Sequence, residues 1–420
     1  MNWLDQQKNR IGSIYAEYPR PFWTLVTVTF IDRLGGALLF PFFALYITSK
    51  FGVGMTEVGI LFALFSISSF VGVLLGGALS DRIGRKGMVI FSLVSTSISS
   101  VIMGLVDSLT AFFILALIVG IFTDAGHPAY QAMVADLLPE EKRAEGFGII
   151  RVVFNLSVAI GPAIGGFLAT RSYLALFITD AVISLISAVI IWRAMPETKP
   201  EPEPGTAPES MMTTFRGYGT VLRDSLFVLF IVAGILSGFA YMNMNTTLGV
   251  YLRDFHGIPE SGYGFILSLN AAMVVLFQFW ITRRIKGFAP MMVMAVGTLL
   301  YAIGFAMYGF ISTYALFLLA MVVITIGEMI IAPVSQALVA RFSPEHMRGR
   351  YMAIAGFSFG VPYAVGPLLA GLVLDNARAE VLWWAAGIVG MLSVMVYLRL
   401  HRVIGLEPIT KAGEISELET

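Results

Sequence analysis

Long uncharged runs limit the possible folds of this chain more than any other feature. The stretches 22–31, 87–106, 111–121, 288–311 and 314–326 carry no charged side chain. About 20 apolar residues in a helix cross the ~30 Å hydrocarbon core of a bilayer. Charged residues make up only 13% of the chain, about half the ~25% that is usual in soluble proteins. The sequence therefore predicts an all-α integral membrane protein, and its composition excludes a disordered chain or a nucleic-acid binder.

Twelve transmembrane helices account for these runs. No segment alternates with a period of two, which excludes a membrane β-barrel. The predicted spans are residues 21–49, 56–79, 87–107, 110–138, 146–170, 173–193, 222–252, 260–283, 289–311, 313–341, 350–374 and 380–400.

The distribution of basic residues predicts the orientation, because cytoplasmic loops are enriched in Lys and Arg. Of the 27 Lys and Arg residues, 21 fall on the side of the termini, and four (Lys50, Arg171, Arg253 and Arg378) fall on the other. Residues 1–20 are polar and charged, so we expect no cleavable signal peptide. Both termini are therefore predicted to be cytoplasmic, in a multi-pass protein of the inner (cytoplasmic) membrane.

A proline-rich stretch, Pro196–Ser210, divides six spans from six. It favours an extended linker, because proline is excluded from helix interiors. We predict an N-terminal six-helix bundle at residues 1–193, a cytoplasmic linker at 194–221, and a C-terminal six-helix bundle with a short tail at 222–420.

The two halves repeat each other at an offset of 205 residues, as shown by Gln131 with Gln336, Pro139-Glu140 with Pro344-Glu345, Arg143 with Arg348, and Gly161-Pro162 with Gly366-Pro367. Both copies run in the same direction, so the predicted bundles are related by a pseudo-two-fold axis along the membrane normal. Such a repeat suits alternating access, in which one half rocks against the other around a central site.

The loop between the second and third spans carries a motif, with Gly76, Gly77, Asp81, Arg82, Gly84, Arg85 and Lys86 in the run GGALSDRIGRKG. The motif resembles the signature loop of the major facilitator superfamily, and the resemblance extends to the twelve spans, the two halves and the linker. The corresponding loop of the second half, residues 282–287, lacks the acidic residue. The resemblance implies the major facilitator fold.

The same loop has a physical interpretation as a conformational latch, formed by Gly77, Asp81, Arg82, Gly84, Arg85 and Lys86. Asp81 ends a span at the cytoplasm, where its carboxylate could accept hydrogen bonds from a facing helix N-terminus. We predict that this partner is the start of the eleventh span, near Arg350. The alternative is that the basic residues serve only as positive-inside anchors.

Gly161-Pro162 in the fifth span and Gly366-Pro367 in the eleventh predict helix kinks with close packing of a neighbour. The fifth-span sequence resembles the g-x-x-x-G-P-x-x-G-G motif of antiporters in the superfamily, which favours export over uptake. The looser copy in the eleventh span leaves a plain packing role open.

Ionisable groups within spans are expensive and are functional candidates by default. Glu328 lies in the middle of the tenth span with no basic residue within one turn. Its surroundings, from Gly327 through Pro333 and Gln336, resemble the tenth helix of single-chain multidrug–proton antiporters. The resemblance implies that Glu328 couples protons and binds cations, and a structural carboxyl is the alternative.

The first half contributes further candidates for proton coupling or for the substrate cavity: Asp32, Arg33, Asp124, His127, Arg151 and Asn155. Asp124 and His127 are three residues apart and are predicted to share a helix face as a proton relay. The alternative is that His127, next to Pro128, is a core residue that satisfies the backbone. Arg151 and Asn155 are expected to pair with these acids. Asp180 lies nearer the outer boundary and is expected to be solvated.

The Asp32-Arg33 pair is distantly similar to an acid–arginine pair of proton-coupled peptide transporters, although the rest of that family's pattern is missing. Antiporters of the superfamily often carry an arginine in the fourth helix, and residues 120–126 contain none. A buried structural ion pair remains the alternative for Asp32 and Arg33.

Five polar or aromatic residues in the seventh and eighth spans are predicted to line a largely apolar cavity: Tyr241, Asn243, Asn245, Asn270 and Gln278. Methionine-rich and aromatic surfaces suit variable apolar ligands. No nucleotide-binding, hydrolase or metal-binding motif is present, so we expect a transporter that is not an enzyme and needs no metal or cofactor.

The sequence thus favours a monomeric secondary transporter with a small-molecule substrate, the proton as coupling ion, and export of amphipathic or cationic drugs. Proton-coupled symport of peptides, sugars or other metabolites remains open. A non-transporting membrane sensor built on a transporter fold is the alternative of another class.

Overall fold

The computed structural model describes residues 17–199, 219–285, 287–344 and 347–404. Within these ranges, twelve helices are long and apolar enough to cross a membrane, as the sequence predicts. The helices are α1a (Arg20–Leu39) and α1b (Phe43–Phe51), α2 (Met55–Ile83), α3 (Arg85–Leu105), α4a (Leu109–Asp124) and α4b (His127–Leu137), α5 (Glu140–Arg171), α6 (Tyr173–Ala194), α7a (Ser225–Thr246) and α7b (Leu248–His256), α8 (Glu260–Ile285), α9 (Pro290–Met307), α10 (Tyr314–Phe342), α11a (Arg348–Ala355) and α11b (Phe357–Asn376), and α12 (Glu380–Ile404).

The internal repeat extends to the breaks within the helices. A 3₁₀ turn at Phe40–Phe42 separates α1a from α1b, and Thr247 separates α7a from α7b. Both α1b and α7b contain nine residues, and they end at Gly52 and Gly257, each with φ +63°. Glycine adopts this left-handed conformation without steric cost. The two glycines are 205 positions apart in the sequence, which is the offset of the sequence repeat.

A turn at residues 125–126 divides the fourth span into α4a and α4b. Pro128 has no backbone N–H, so it cannot donate the helical hydrogen bond to the carbonyl of Asp124. Asp124 therefore ends one helix and His127 begins the next. The fourth span is thus divided where the sequence predicts one continuous helix, and the predicted Asp124–His127 pair lies across the division.

The described chain forms two compact units. The first contains the described residues up to Phe40 and those from Leu64 to residue 199. In it, α1a packs on α5 and α6, and α3 packs on α6. Buried side chains of Phe22, Leu25, Met133 and Ile191 belong to its apolar core.

The second unit contains Pro41–Ala63 and the described residues from 219 onward. Its α9 packs on α10 and α12, and its α7a packs on α11b and α12. Apolar side chains of Phe227, Phe230, Met294 and Tyr397 are buried in its core.

The start of α2 belongs to the second unit because it packs closely on α11b. A Cβ at Gly59 would lie 2.3 Å from the Cα of Leu368, and a Cβ at Gly371 would lie 2.2 Å from the carbonyl oxygen of Met55. The two glycines thus let the backbones touch. The predicted domain bounds differ in assigning residues 41–63 to the first half. Residues 195–199 of the predicted linker are outside any helix, and 200–218 lie outside the described residues.

Candidate functional site

Glu328 occupies the middle of α10 in a hydrogen-bonded network within the second unit. Its Oε1 accepts a hydrogen bond from the hydroxyl of Tyr241 on α7a at 3.0 Å. Its Oε2 accepts one from the side-chain amide of Asn270 on α8 at 2.7 Å. No ion pair to Glu328 is found among the described residues. Two neutral donors therefore stabilise the carboxylate without cancelling its charge.

Two further residues complete this network, and the sequence interpretation missed both. Thr325, one turn before Glu328, accepts a second hydrogen bond from Asn270 at 2.9 Å. The ring of Tyr301 on α9 stacks on the ring of Tyr241, with 5.6 Å between centroids. Tyr301 also lies against Gly327, whose added Cβ would be 3.0 Å from the tyrosine Cδ1. Spacing along α10 could have indicated Thr325, whereas no sequence signal points to Tyr301.

The remaining predicted cavity residues of the second half do not contact the carboxylate. Gln278 donates hydrogen bonds to the carbonyl of Met329 at 2.9 Å and to the hydroxyl of Thr282 at 3.0 Å. Asn243 is buried and donates to the carbonyl of Phe239 in its own helix. Among the described hydrogen bonds, none joins Asn245 to Glu328. Of the five predicted lining residues, the structure thus brings Tyr241 and Asn270 to Glu328.

Asp32 and Arg33 lie on α1a in the first unit and point in different directions. Asp32 is partly buried, whereas the side chain of Arg33 is exposed. The guanidinium of Arg33 lies 5.8 Å from the ring centroid of Phe154 on α5, within cation–π range. The charge of Arg33 also acts on Asp32 and on His127, so Arg33 is electrostatically linked to both predicted proton-coupling groups.

Asp124 pairs with a residue that the sequence did not single out. Its carboxylate accepts a short hydrogen bond from the hydroxyl of Ser69 on α2. No hydrogen bond between Asp124 and His127 is found in the described part of the chain, although the charge of Asp124 acts on that imidazole. The predicted direct Asp–His pair is therefore not formed. Arg151 and Asn155 lie on α5 with exposed side chains.

Asp180 is buried, and the expectation that it is solvated is wrong. Its exposed fraction is 4%, and its Oδ2 accepts a hydrogen bond of 2.5 Å from the hydroxyl of Ser100 on α3. The cause is its helix face: α6 turns Asp180 toward α1a and α3, against which α6 packs.

The glycine- and arginine-rich loop after α2 is fastened to the segment after α6. Gly84 has φ +100° and leads into α3. The carboxylate of Glu197 accepts hydrogen bonds from the backbone amides of Arg85 at 2.9 Å and Lys86 at 3.3 Å. It thereby caps the N-terminus of α3, where the helix dipole favours an anion. Burial acts to raise the pKa of Glu197, but the amides of Arg85, Lys199, Lys86 and Thr198 outweigh it and lower the pKa below its ordinary value.

The basic residues of this loop also make contacts inside the first unit. Arg85 forms an ion pair with Asp136 on α4b, and the ammonium of Lys86 donates to the carbonyl of Met195 at 2.6 Å. Gly77 lies near Pro128, 3.8 Å from an added Cβ. The side chains of Asp81 and Arg82 lie outside the described part of the structure, so the predicted contact of Asp81 stays a prediction.

The two Gly-Pro pairs lie inside helices, as predicted, but they pack differently. A Cβ at Gly161 of α5 would lie 2.5 Å from the Cβ of Ala37 on α1a. At Gly366 of α11b the nearest atom to an added Cβ belongs to Phe239, at an ordinary 3.5 Å. Pro162 and Pro367 follow them within their helices. Gly161 is therefore a close-approach site, whereas Gly366 itself is not, and the close approach beside it is that of an added Cβ at Gly59 on the carbonyl of Pro367 at 2.7 Å.

Two repeated sets of spans, a basic loop after the second span and an uncompensated carboxylate inside a helix bundle define a membrane transporter. The sequence model of the Major Facilitator Superfamily matches residues 25–327 and 230–416. The chain belongs to that superfamily, whose members are transporters and not enzymes.

Individual relatives differ in what they transport. The chain is 29% identical to the Na(+), Li(+), K(+)/H(+) antiporter of Planococcus maritimus, over 86% of this chain and 91% of that protein. It is 22% identical to the quinolone resistance protein NorA of Staphylococcus aureus (strain COL), over 89% of this chain and 95% of that one. A crystal structure of the nucleoside transporter NupG superposes with a TM-score of 0.74 at 14% identity, over 91% of this chain and 99% of that chain; this likeness concerns the fold.

Proposed function

We propose that this protein is a proton-coupled antiporter of the cytoplasmic membrane that exports amphipathic cations. Glu328 binds the proton and the cation in turn, and Asp32 in the first half is the second carboxyl for which they compete. The coupling ion is the proton, no metal or cofactor takes part, and both termini are cytoplasmic. The transporter works as a monomer, by alternating access.

The hydrogen bonds and the apolar surroundings of Glu328 are the main support for this proposal. Tyr241 and Asn270 donate to its two oxygens, and no described Lys or Arg forms an ion pair with it. A carboxylate inside an apolar bundle needs a compensating positive charge. A proton or a cationic substrate can supply that charge, but each excludes the other. Exchange of the proton for the cation requires that both bind to the same group in turn. The carboxylate with neither of them bound has the highest free energy, because its charge is then uncompensated.

An aromatic wall next to the carboxylate favours an organic cation. Tyr241 contacts Glu328 directly, and its ring is stacked with that of Tyr301 at an interplanar angle of 24°. Stacked tyrosines offer both apolar area and a negative ring face to a delocalised or amphipathic cation. The quinolone resistance protein NorA is a relative that aligns over 95% of its own length.

A second candidate is exchange of monovalent metal cations for protons. Its support is the relative from Planococcus maritimus, which is named as a Na(+), Li(+), K(+)/H(+) antiporter. A small metal ion prefers several oxygen ligands. Around Glu328, Tyr241 and Asn270 use their donor groups on the carboxylate, so this arrangement suits the organic cation better.

Purified full-length protein in liposomes with a pH-sensitive dye inside tests the proposal. We expect that adding tetraphenylphosphonium on one side drives protons in the opposite direction, and that Glu328→Gln abolishes this proton movement. A matched control is Glu380→Gln, which removes a carboxylate at the start of α12 that takes no part in the network. Its proton movement should equal that of the wild type.

Each alternative predicts a different result in the same assay. Proton movement driven by Na⁺ or K⁺ but not by the organic cation would favour metal-cation exchange. Protons that move with a peptide or sugar would indicate symport, and binding without any flux would indicate a sensor. Proton movement by Glu328→Gln at the wild-type rate would contradict the role of Glu328.

A further inference from the structure

A row of buried polar side chains lies between α3 and α6 in the first unit. Asp180, Ser184 and Ser187 follow each other on α6 at intervals of four and three residues, so they share one face. Ser97 and Ser100 lie on α3. All five side chains have exposed fractions below 9%, and the hydroxyls of Ser184 and Ser187 have no hydrogen-bond partner among the described residues.

Asp180 uses its two carboxyl oxygens differently. Oδ2 accepts the hydrogen bond from Ser100 at 2.5 Å. Oδ1 points at the backbone of α1a, where a Cβ at Gly35 would lie only 2.7 Å away. No donor to Oδ1 is found in the described chain. Gly35 follows Asp32 by three residues, about one helical turn, so the carboxyl of Asp180 faces the same stretch of α1a that carries Asp32.

Packing of this helix pair does not require an acid, because the second half packs the equivalent pair without one. At the repeat offset, Ser100 corresponds to Phe305 on α9 and Asp180 to Ala385 on α12. There, α9 and α12 meet through small apolar residues: added Cβ atoms at Gly387 and Gly390 would lie 2.7 and 2.8 Å from Ala306 and Ala302. Keeping a carboxyl in the first half costs free energy, which indicates a function for Asp180.

The charged groups around Asp180 come from the three helices packed against α6. From α1a comes Asp32, about one turn before Gly35, the residue that Oδ1 of Asp180 faces. From α3, Arg85 and Lys86 lie at the opposite end, where Asp136 and the Met195 carbonyl hold them. From α5, the guanidinium of Arg171 stacks on Phe167 at 4.4 Å. Of these groups, Asp32 lies on the stretch of α1a that Asp180 faces, whereas the basic groups contact other partners.

We propose that Asp180 is a second proton-binding group of the transporter, and that it exchanges its proton with Asp32. In this step the O–H bond of one carboxyl breaks and its proton moves, directly or through water, to the carboxylate oxygen of the other. One proton thus keeps one member of the pair neutral while the other carries the charge. The proposal rests on the proposed proton coupling. The proton that Asp180 and Asp32 share in the first half is separate from the proton that Glu328 binds in the second.

The test combines infrared spectroscopy with proton counting, on full-length protein in lipid membranes. The carbonyl stretch of protonated carboxyl groups reports Asp180 whether or not transport takes place. At neutral pH we expect one such band to disappear in Asp180→Asn. We expect Ser100→Ala to shift the frequency of that band, because its hydrogen bond is lost. In the liposome assay, Asp180→Asn should lower the number of protons moved per tetraphenylphosphonium ion.

The outcomes separate this inference from the proposed function. If Asp180→Asn has the wild-type carboxyl spectrum and the wild-type proton count, Asp180 binds no exchangeable proton and the inference is overturned. If Glu328→Gln still moves protons while the band of Asp180 is present, the proposed function fails and the proton site stands. If Asp180→Asn does not fold, an unchanged carboxyl band in Ser100→Ala overturns the inference, whereas a shifted band supports it.

Discussion

Oδ1 of Asp375 accepts a hydrogen bond from the backbone amide of Met55 at 2.9 Å, so the end of α11b caps the start of α2. Its Oδ2 also accepts the amide of Thr56 at 2.6 Å. The sequence predicts an acid-to-helix-start contact between the same two helices, but at their other ends, from Asp81 of α2 to the start of the eleventh span. The contact that the structure describes is thus of the predicted kind, a carboxylate at a helix N-terminus. It is made by Asp375, whereas the sequence predicts Asp81.

Replacing Asp375 tests the strength of this cap. Asp375→Ala leaves the first amides of α2 without an acceptor, and loss of such a cap lowers the free energy of unfolding by about 1 kcal/mol. Thermal unfolding of the purified protein in detergent measures the effect. The neighbouring Asn376→Ala is the control, because among the described residues the side chain of Asn376 donates only to the carbonyl of Leu372 in its own helix. Equal unfolding temperatures for both variants would contradict the cap.

The two Gly-Pro pairs give a matched pair of substitutions. Gly161→Ala places a methyl group 2.5 Å from the Cβ of Ala37, and overpacking of this kind costs roughly 1–3 kcal/mol. Gly366→Ala meets its nearest neighbour at 3.5 Å, so it should be neutral or slightly stabilising, since alanine is a better helix former. Unfolding temperature and drug resistance of cells expressing each variant provide the readouts. A Gly366→Ala protein less stable than Gly161→Ala would refute the packing argument.

The sequence predicts the transmembrane spans and the charged residues within them well, because the bilayer imposes a fixed helix length and penalises any charge inside it. Glu328 stands out for that reason. The sequence also predicts Tyr241 and Asn270 as cavity residues, but it predicts neither their hydrogen bonds to Glu328 nor the stacking of Tyr301 on Tyr241, since a single sequence does not show which helices pack together. The sequence predicts a solvated Asp180 because its position along α6 indicates only how deep it lies in the membrane. That position does not show which neighbouring helix the side chain faces, and Asp180 is buried. Asp124 and His127 were paired on an unbroken helix that Pro128 interrupts.

Glu197 gives a pH-dependent prediction outside the membrane. Its pKa in the folded protein lies below the ordinary value of 4.5, so folding favours its ionised form. The stabilisation is therefore fully present above pH 4.5 and is lost as the pH falls through the lower, folded-state pKa. We expect Glu197→Gln to unfold at a lower temperature than the wild type at neutral pH, and the difference to shrink in acid.

Thermal unfolding of both proteins over a pH series measures this difference. Glu57→Gln is a suitable control, because Glu57 lies in the first turn of another helix, α2, and takes no part in the described hydrogen bonds at the N-terminus of α3. A constant difference between Glu197→Gln and the wild type from neutral to acidic pH would show that the carboxylate charge of Glu197 does not stabilise the N-terminus of α3.

Substitutions of Tyr301 test whether the substrate is an organic cation. Its ring stacks on Tyr241 next to Glu328, and a cation against such a ring gains about 0.5–2 kcal/mol. Tyr301→Leu should therefore weaken binding of tetraphenylphosphonium roughly two- to thirtyfold, whereas Tyr301→Phe, which keeps the ring, should bind as the wild type does. Isothermal titration of the purified variants measures both affinities, with unfolding temperatures to verify that each is folded. Equal affinity of the leucine and phenylalanine variants would mean that the cation does not contact this aromatic wall.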